Sequence, residues 1–200
     1  MKKFFQKIVL EAGCDEAGRG CLAGPVYAGA VILPSGFYSP LVHDSKKMTH
    51  EQRLKARDII QKKAIAWAVG AATHEEIDRI NILNASFLAM HRAIDGLSIT
   101  PELLLIDGNR FKPYKTLKHQ CIIAGDDLYF SIAAASILAK TYRDEFMQQL
   151  HSEFPVFNWY SNKAYATPDH CRAIKEHGVT PYHRRTFTRV MNQLEMSFSN

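Results

Sequence analysis

Asp15-Glu16-Ala17-Gly18-Arg19-Gly20 is the stretch on which the reading of this chain turns. An apolar run, Ile8-Val9-Leu10, leads into it and Pro25 to Leu33 follows, giving the order strand, paired carboxylates, tight turn, strand. Adjacent acids repel each other and gain little by packing. A cation between them gives the pair a purpose, and magnesium or manganese favours such hard oxygen ligands. Gly18 and Gly20 let something bulky approach the backbone, and Arg19 suits an anion. A metal beside a phosphate is the expectation.

Outward from that stretch, apolar strand-like segments alternate with helical ones, the pattern of an α/β domain. Ile8–Cys14 and Val26–Leu33 read as two strands close enough to pair antiparallel. Thr49 opens a helix to Ala64, with Gln52 completing a capping box. Ala66–Ala72 reads as a third strand, and Thr73 with Glu76 opens a second helix ending near Gly96. The continuous apolar run Leu103–Ile106 predicts a central strand buried on both faces. His119–Ala124 reads as a fifth strand, and Ser131 to Leu150 as a helix with Ile132, Ala135, Ala139, Tyr142 and Phe146 on one face. Pro155–Tyr165 is loop-like. Thr167-Pro168 starts a short helix stopped by Gly178. This gives a single domain overall, with residues 1–166 as the α/β body and 167–200 as a helical, basic extension packed on it.

Two hundred residues suffice for one well-buried domain but not for two full ones. An apolar content of 46% excludes a disordered chain, and the net charge of +5 suits a polyanionic partner without requiring one. The four cysteines form no C-x-x-C pair and have no zinc-finger histidines. With no signal peptide and no apolar stretch near 18 residues, the expected setting is the cytoplasm, away from membranes. Cys14 and Cys21 flank the acids, but soft thiolates ligate magnesium poorly and are read as small buried residues.

Further acids stand where strands end. Asp107 follows Leu103–Ile106, and Asp126 and Asp127 follow the fifth strand. Ligand sites in open α/β sheets gather at the carboxyl ends of strands. Asp15, Glu16, Asp107 and one of Asp126 or Asp127 are therefore expected to converge around two ions. Such a pair serves in-line attack on a phosphodiester, one ion aligning the attacking water and the other taking charge on the leaving oxygen. Neighbouring strand residues face opposite ways, so both Asp15 and Glu16 serve one site only if the strand breaks there. Taken singly, Asp107-Gly108 and Gly125-Asp126-Asp127 also read as ordinary turns.

These motifs together resemble ribonuclease HII, the bacterial type 2 ribonuclease H. The likeness runs from Asp15–Gly20 and Leu22–Val26 through Asp44–Met48, Asn81-Ile82 with Ala85-Ser86, Ile106–Gly108 and Gly125-Asp126. It continues through Ser131–Lys140, Arg143-Asp144, Asn162–Thr167 with His170, and Pro181–Arg184 with Phe187. The resemblance implies a ribonuclease H-like fold: a central mixed five-stranded sheet flanked by helices, with a small helical C-terminal extension. It also implies a metal-dependent endonuclease that hydrolyses RNA in RNA–DNA hybrids. The same enzyme is expected to nick 5′ of ribonucleotides embedded in duplex DNA, leaving 3′-hydroxyl and 5′-phosphate ends. That places it in ribonucleotide removal and RNA primer processing.

The family's acidic positions fall on Asp15, Glu16, Asp107 and Asp126, holding two Mn²⁺ or Mg²⁺ ions. Gly18, Arg19 and Gly20, through backbone groups, and Tyr165 are expected to read the ribose 2′-hydroxyl, the group that marks RNA in a mixed strand. The family usually has glycine on both sides of that tyrosine, where this chain has Ala164 and Ala166. The sister type, ribonuclease HIII, usually carries lysine in place of Arg19 and an added N-terminal domain. Lys46 and Lys47 are candidate phosphate ligands or a solvated pair. His183 and Arg184, next to Arg185, Tyr182 and Phe187, are read as phosphate contacts or as a basic face packing over acids such as Glu176. Arg143 and Asp144 are read as scaffold. Gln193 to Phe198 resembles peptides that dock on the sliding clamp, and a monomer is expected. A silent hybrid-binding protein and a DNA strand-transfer enzyme of the same fold are the competing readings.

Overall fold

The computed structural model describes residues 1–188 and Val190. Its five-stranded sheet consists of β1 (Glu11–Ala17), β2 (Val26–Ile32), β3 (Ala66–Ala72), β4 (Leu103–Asp107) and β5 (Lys118–Ile122). Their order is β3-β2-β1-β4-β5, antiparallel from β3 to β1 and parallel from β1 to β5. The helices are α1 (His50–Lys63), α2 (His74–Asp95), α3 (Gly125–Leu128), α4 (Phe130–Glu153), α5 (Trp159–Asn162) and α6 (Pro168–His177). Among the described residues, no helix is long and apolar enough to cross a membrane.

Helix α4 lies on one face of the sheet and α2 on the other. Small residues permit the close approach of α4: a Cβ on Gly13 would stand 2.2 Å from the Ser131 carbonyl carbon, and one on Gly29 would stand 2.4 Å from the Ala135 oxygen. Ala133, Ala134 and Ala135 complete that contact from the helix side and are fully buried. The other face packs Ala12, Cys14, Ala28, Leu104 and Ile106 against Ile77, Ala85, Ala89 and Ala93 of α2. Both capping boxes form, Thr49 with Gln52 and Thr73 with Glu76.

Four local features depart from the sequence reading. β1 begins at Glu11 rather than Ile8 and runs through both carboxylates to Ala17; Ile8 is 96% exposed. The Glu11 carboxylate holds this entry by accepting from the Phe5 and Gln6 amides. β5 spans Lys118–Ile122, and Ala124 beyond it takes a left-handed φ of 54°, which ends the strand. The stretch read as a loop, Pro155–Tyr165, contains a 3-10 turn at Pro155–Phe157 and the short α5. α2 is kinked at Asn81 (φ 64°, ψ 164°), whose side-chain oxygen accepts from the Asn84 amide and caps the second segment. The apolar period runs unbroken through that kink, so pattern alone does not reveal it.

The 167–188 segment packs onto the main body. Ala173 and Ile174 of α6 join Leu22, Met147, Phe157 and Trp159 in one apolar cluster.

Candidate active site

The parallel ladder between β1 and β4 ends at Cys14 opposite Ile106. Asp15 and Asp107 are thus the next residues where the two strands part. β1 continues on its other edge, pairing Asp15 with Gly29, Glu16 with Ala28 and Ala17 with Tyr27. The strand does not break at the carboxylates, contrary to the condition set for both to serve one site. Asp15 and Glu16 accordingly leave opposite faces of the sheet, yet at its open edge the charges of Glu16 and Asp107 act on Asp15 and that of Asp107 acts on Glu16, so one site forms without a strand break.

Asp15 is buried and accepts from the Ser136 hydroxyl of α4. Glu16 lines a cleft of about 290 Å³ with Leu83, Ser86, Phe87 and Met90 of α2 and with Asp107 to Arg110. Asp107 raises the proton affinity of both. Its Oδ1 accepts from the Gly125 amide at 2.7 Å, which brings the first turn of α3, and so Asp126, alongside.

Burial pushes the Asp15 carboxyl well above the ordinary range, and the charges of Glu16 and then Asp107 push it further. Burial likewise raises Glu16, opposed chiefly by Arg19 at 3.0 Å. Asp107 is raised by burial, with the Gly125 amide working against it and Asp126 adding to it. Among the described residues, however, no three His, Cys, Asp or Glu side chains close into a metal-holding cluster. The tight convergence expected of four acids is not reached, and two of them take protein cations. Arg19 sits on Glu16, and Lys46 Nζ on Asp126 at 3.1 Å. The donor set is nonetheless all hard oxygen, crowded and repelling, which fits divalent ions of the magnesium class.

A stability consequence follows. An acid whose native pKa is raised contributes stability below its unfolded pKa and loses it as pH rises through the native value. At neutral pH without divalent ions Asp15 therefore costs the fold stability, as a carboxylate by repulsion or as an acid by the proton it must keep. Asp15→Asn is expected to raise the melting temperature under those conditions, on the order of 2–4 °C for each kcal/mol of repulsion relieved. An unchanged or lowered value in a thermal melt contradicts this account of the site.

The turn after β1 rests on buried arginines. Gly18 has φ 98°, and a Cβ there would meet Arg143 Nε at 2.1 Å. Arg143 donates to the carbonyls of Pro25, Lys163 and Ala23, consistent with a scaffold role. Cys21 and Tyr165 form a β-bridge, and Leu22 donates to the Ala164 carbonyl at 2.8 Å, so the turn and the tyrosine loop are tied together. Tyr165 is 43% exposed and shares a cleft with Gly20, Leu22 and Phe187. Ala164 takes a left-handed φ of 65° despite its Cβ, whereas Ala166 does not. Arg143 and the Asn162 side chain, which accepts from the Ala164 amide, hold the loop in that conformation.

The basic residues divide. Lys46 reaches the carboxylates, whereas Lys47 pairs with Asp127 and Asp44 at the surface. His183 and Arg184 are fully buried and cannot face a phosphate. The His183 Nδ1 accepts from the Thr180 amide, and its ring meets His170, itself bonded to Trp159 and the Tyr165 carbonyl. Burial holds the His183 pKa down to about 3, so it is neutral. Arg184 donates to the carbonyls of Gly24, Arg19 and Gly18, and burial lowers its pKa only to about 9, so it stays charged at neutral pH.

Sequence reading gives no site role to Ser136, Ser86, Asn109 or Arg110, which lie beside the acids. The two serines were detectable as lone polar residues on apolar helix faces. Ser86 keeps a buried hydroxyl without a hydrogen-bond partner in the cleft beside Glu16. Gln193–Phe198 lies outside the described residues.

Comparison with known proteins places this arrangement. The family model described as Ribonuclease HII matches residues 12–191. A Ribonuclease HII of Phocaeicola vulgatus is 60% identical over 197 residues, covering 98% of each chain. The ribonuclease H2 of Pyrococcus horikoshii superposes with a TM-score of 0.80 at 26% identity, covering 95% of this chain and 99% of that one. The ribonuclease HII of Archaeoglobus fulgidus, solved in complex with PCNA, superposes with a TM-score of 0.75 at 25% identity, covering 90% and 96%.

Proposed function

The chain belongs to the ribonuclease HII family, and we propose that Asp15, Glu16, Asp107 and Asp126 hold the two Mg²⁺ or Mn²⁺ ions with which it cuts. It is a metal-dependent endoribonuclease of the type 2 ribonuclease H class, acting on RNA–DNA hybrids and on ribonucleotides within duplex DNA. The observation that carries the assignment of residues is the mutual repulsion of Asp15, Glu16 and Asp107, each raised by burial and by the charge of another acid, next to the Gly18–Gly20 turn.

Bound divalent ions supply Lewis-acid activation of water and neutralise charge at the leaving oxygen. The chain's own residues do the rest. Asp107, whose charge acts on both Asp15 and Glu16, would join them in holding the ions. The Ser136 hydroxyl and the Glu16 amide fix the Asp15 carboxylate in one orientation. Lys46, which pairs with Asp126, would be available to a backbone phosphate were that carboxylate holding an ion. Gly20 has open space where a Cβ would point, so its bareness serves an approaching ligand rather than the protein's packing. Tyr165 offers an exposed ring and hydroxyl across the same cleft.

The experiment is a DNA duplex with one ribonucleotide, incubated with and without Mg²⁺. Metal-dependent nicking on the 5′ side, leaving 3′-hydroxyl and 5′-phosphate ends, is expected. Binding without nicking would establish a silent hybrid binder instead, and strand joining a transfer enzyme.

Residues 193–198, Gln-Leu-Glu-Met-Ser-Phe, are assigned to sliding-clamp docking by their resemblance to clamp peptides and by the archaeal relative's PCNA complex. Removal of residues 193–200 should abolish clamp binding in a pull-down and leave nicking intact; unchanged clamp affinity removes the assignment. The described cysteines are all free thiols, which suits a reducing cytoplasm.

A further inference from the structure

Arg184 poses a problem that phosphate binding does not solve. Its side chain is fully buried, and no carboxylate pairs with it among the described residues. Burying an unpaired charge is costly, so the charge is kept for something its neighbours require. Those neighbours are carbonyl oxygens: Nη2 donates to Gly18 at 2.8 Å, Nη1 to Arg19 at 2.9 Å and Nε to Gly24 at 3.0 Å. The planar fork of the guanidinium matches two successive carbonyls of one turn, which an ammonium cannot do.

The consequence lies on the opposite side of the peptide planes. Among the described residues no peptide bond is cis. In a trans peptide the carbonyl of one residue and the N–H of the next point in opposite directions. With the Gly18 and Arg19 carbonyls drawn inward, the Arg19 and Gly20 N–H groups are turned outward. Neither amide finds an acceptor among the described residues. They stand as two adjacent donors beside the cleft that Gly20 shares with Tyr165, above a buried positive charge that favours an electron-rich atom.

We propose that Arg184 is a positioning residue for ribose recognition: its guanidinium grips the turn from beneath and presents the Arg19 and Gly20 amides as preset donors to the 2′-hydroxyl oxygen. The inference rests on the reading of this turn as the ribose reader. It replaces the phosphate contact that sequence composition suggested. Arg184 touches no substrate and acts through the backbone.

The test compares affinity for a duplex with one ribonucleotide against the same duplex in all-DNA form, measured by fluorescence anisotropy in Ca²⁺ without cleavage. Arg184→Lys keeps the charge but loses the fork. It should lower the preference for the ribonucleotide about tenfold while all-DNA affinity stays near wild type. An equal fall for both duplexes, as loss of a phosphate contact produces, overturns the proposal, as does an unchanged preference. Gly20→Ala is the second arm. If it leaves the preference intact, the turn does not read ribose at all. If it removes the preference while Arg184→Lys does not, only the positioning role falls.

Should Arg184→Lys fail to fold, amide hydrogen exchange on the wild-type chain decides. The Arg19 and Gly20 amides should exchange freely in the unbound protein and become protected on the ribonucleotide duplex but not on the all-DNA one. Protection already present without nucleic acid contradicts the outward orientation.

Discussion

Asp107→Asn is expected to cut the single-turnover rate of cleavage by at least about 10³-fold, as removal of a group that acts in the transition state does. The fold should survive. Asparagine keeps the Oδ1 that accepts from the Gly125 amide, so α3 and Asp126 stay in place. The substitution also removes one charge from a crowded set, since Asp107 raises both Asp15 and Glu16. Stability without metal should therefore rise, and affinity for the polyanionic substrate should hold or improve. Loss of rate with retained binding separates a metal ligand from a structural acid. A variant of near-wild-type rate removes Asp107 from the mechanism.

Gly18→Ala should be the most damaging small substitution in the turn. The added methyl would sit 2.1 Å from Arg143 Nε and 2.5 Å from its Cδ, at a φ of 98° that alanine disfavours. Arg143 cannot give way, because it is buried and bonded to three carbonyls on two loops. Backbone strain and overpacking together should cost about 2–5 kcal/mol in denaturant unfolding. At Gly20, only two residues on, a methyl would meet nothing within 4 Å. Gly20→Ala should therefore fold normally and lose substrate preference. One glycine answers to the protein and the other to the ligand. Equal stability losses at both positions would contradict that division.

Some of this was legible in the chain and some was not, for identifiable reasons. Asp107 stands directly after four apolar residues, and such a strand end announces itself. The capping boxes at Thr49 and Thr73 are local, so local reading finds them. β1 is expected over Ile8–Cys14 because Ile8-Val9-Leu10 looks like its opening, but it spans Glu11–Ala17. The true strand is made of Ala12, Gly13 and Cys14, kept small by α4 pressing on Gly13, and it carries its carboxylates inside the ladder. Small residues under a helix have weak strand signatures, and a charged strand end resembles a turn.

Arg184 shows a different limit. A basic cluster in sequence suggests a basic surface, but this guanidinium points inward to carbonyls some 160 residues away. Nothing nearby in sequence encodes that direction. Ser136 and Ser86 became meaningful only once α4 and α2 had been placed against the acids.

A Mn²⁺ titration followed by thermal unfolding, on the wild-type chain and on the Asp15→Asn/Asp107→Asn double variant, bears most directly on the electrostatic core of the site. Selective binding to the native state adds about 2.7 kcal/mol at a hundred times the dissociation constant. The wild type should start less stable than the double variant and gain stability steadily with Mn²⁺, while the variant gains little. Equal gains in both proteins, or none in the wild type, would contradict the claim that these carboxylates are held together by divalent ions.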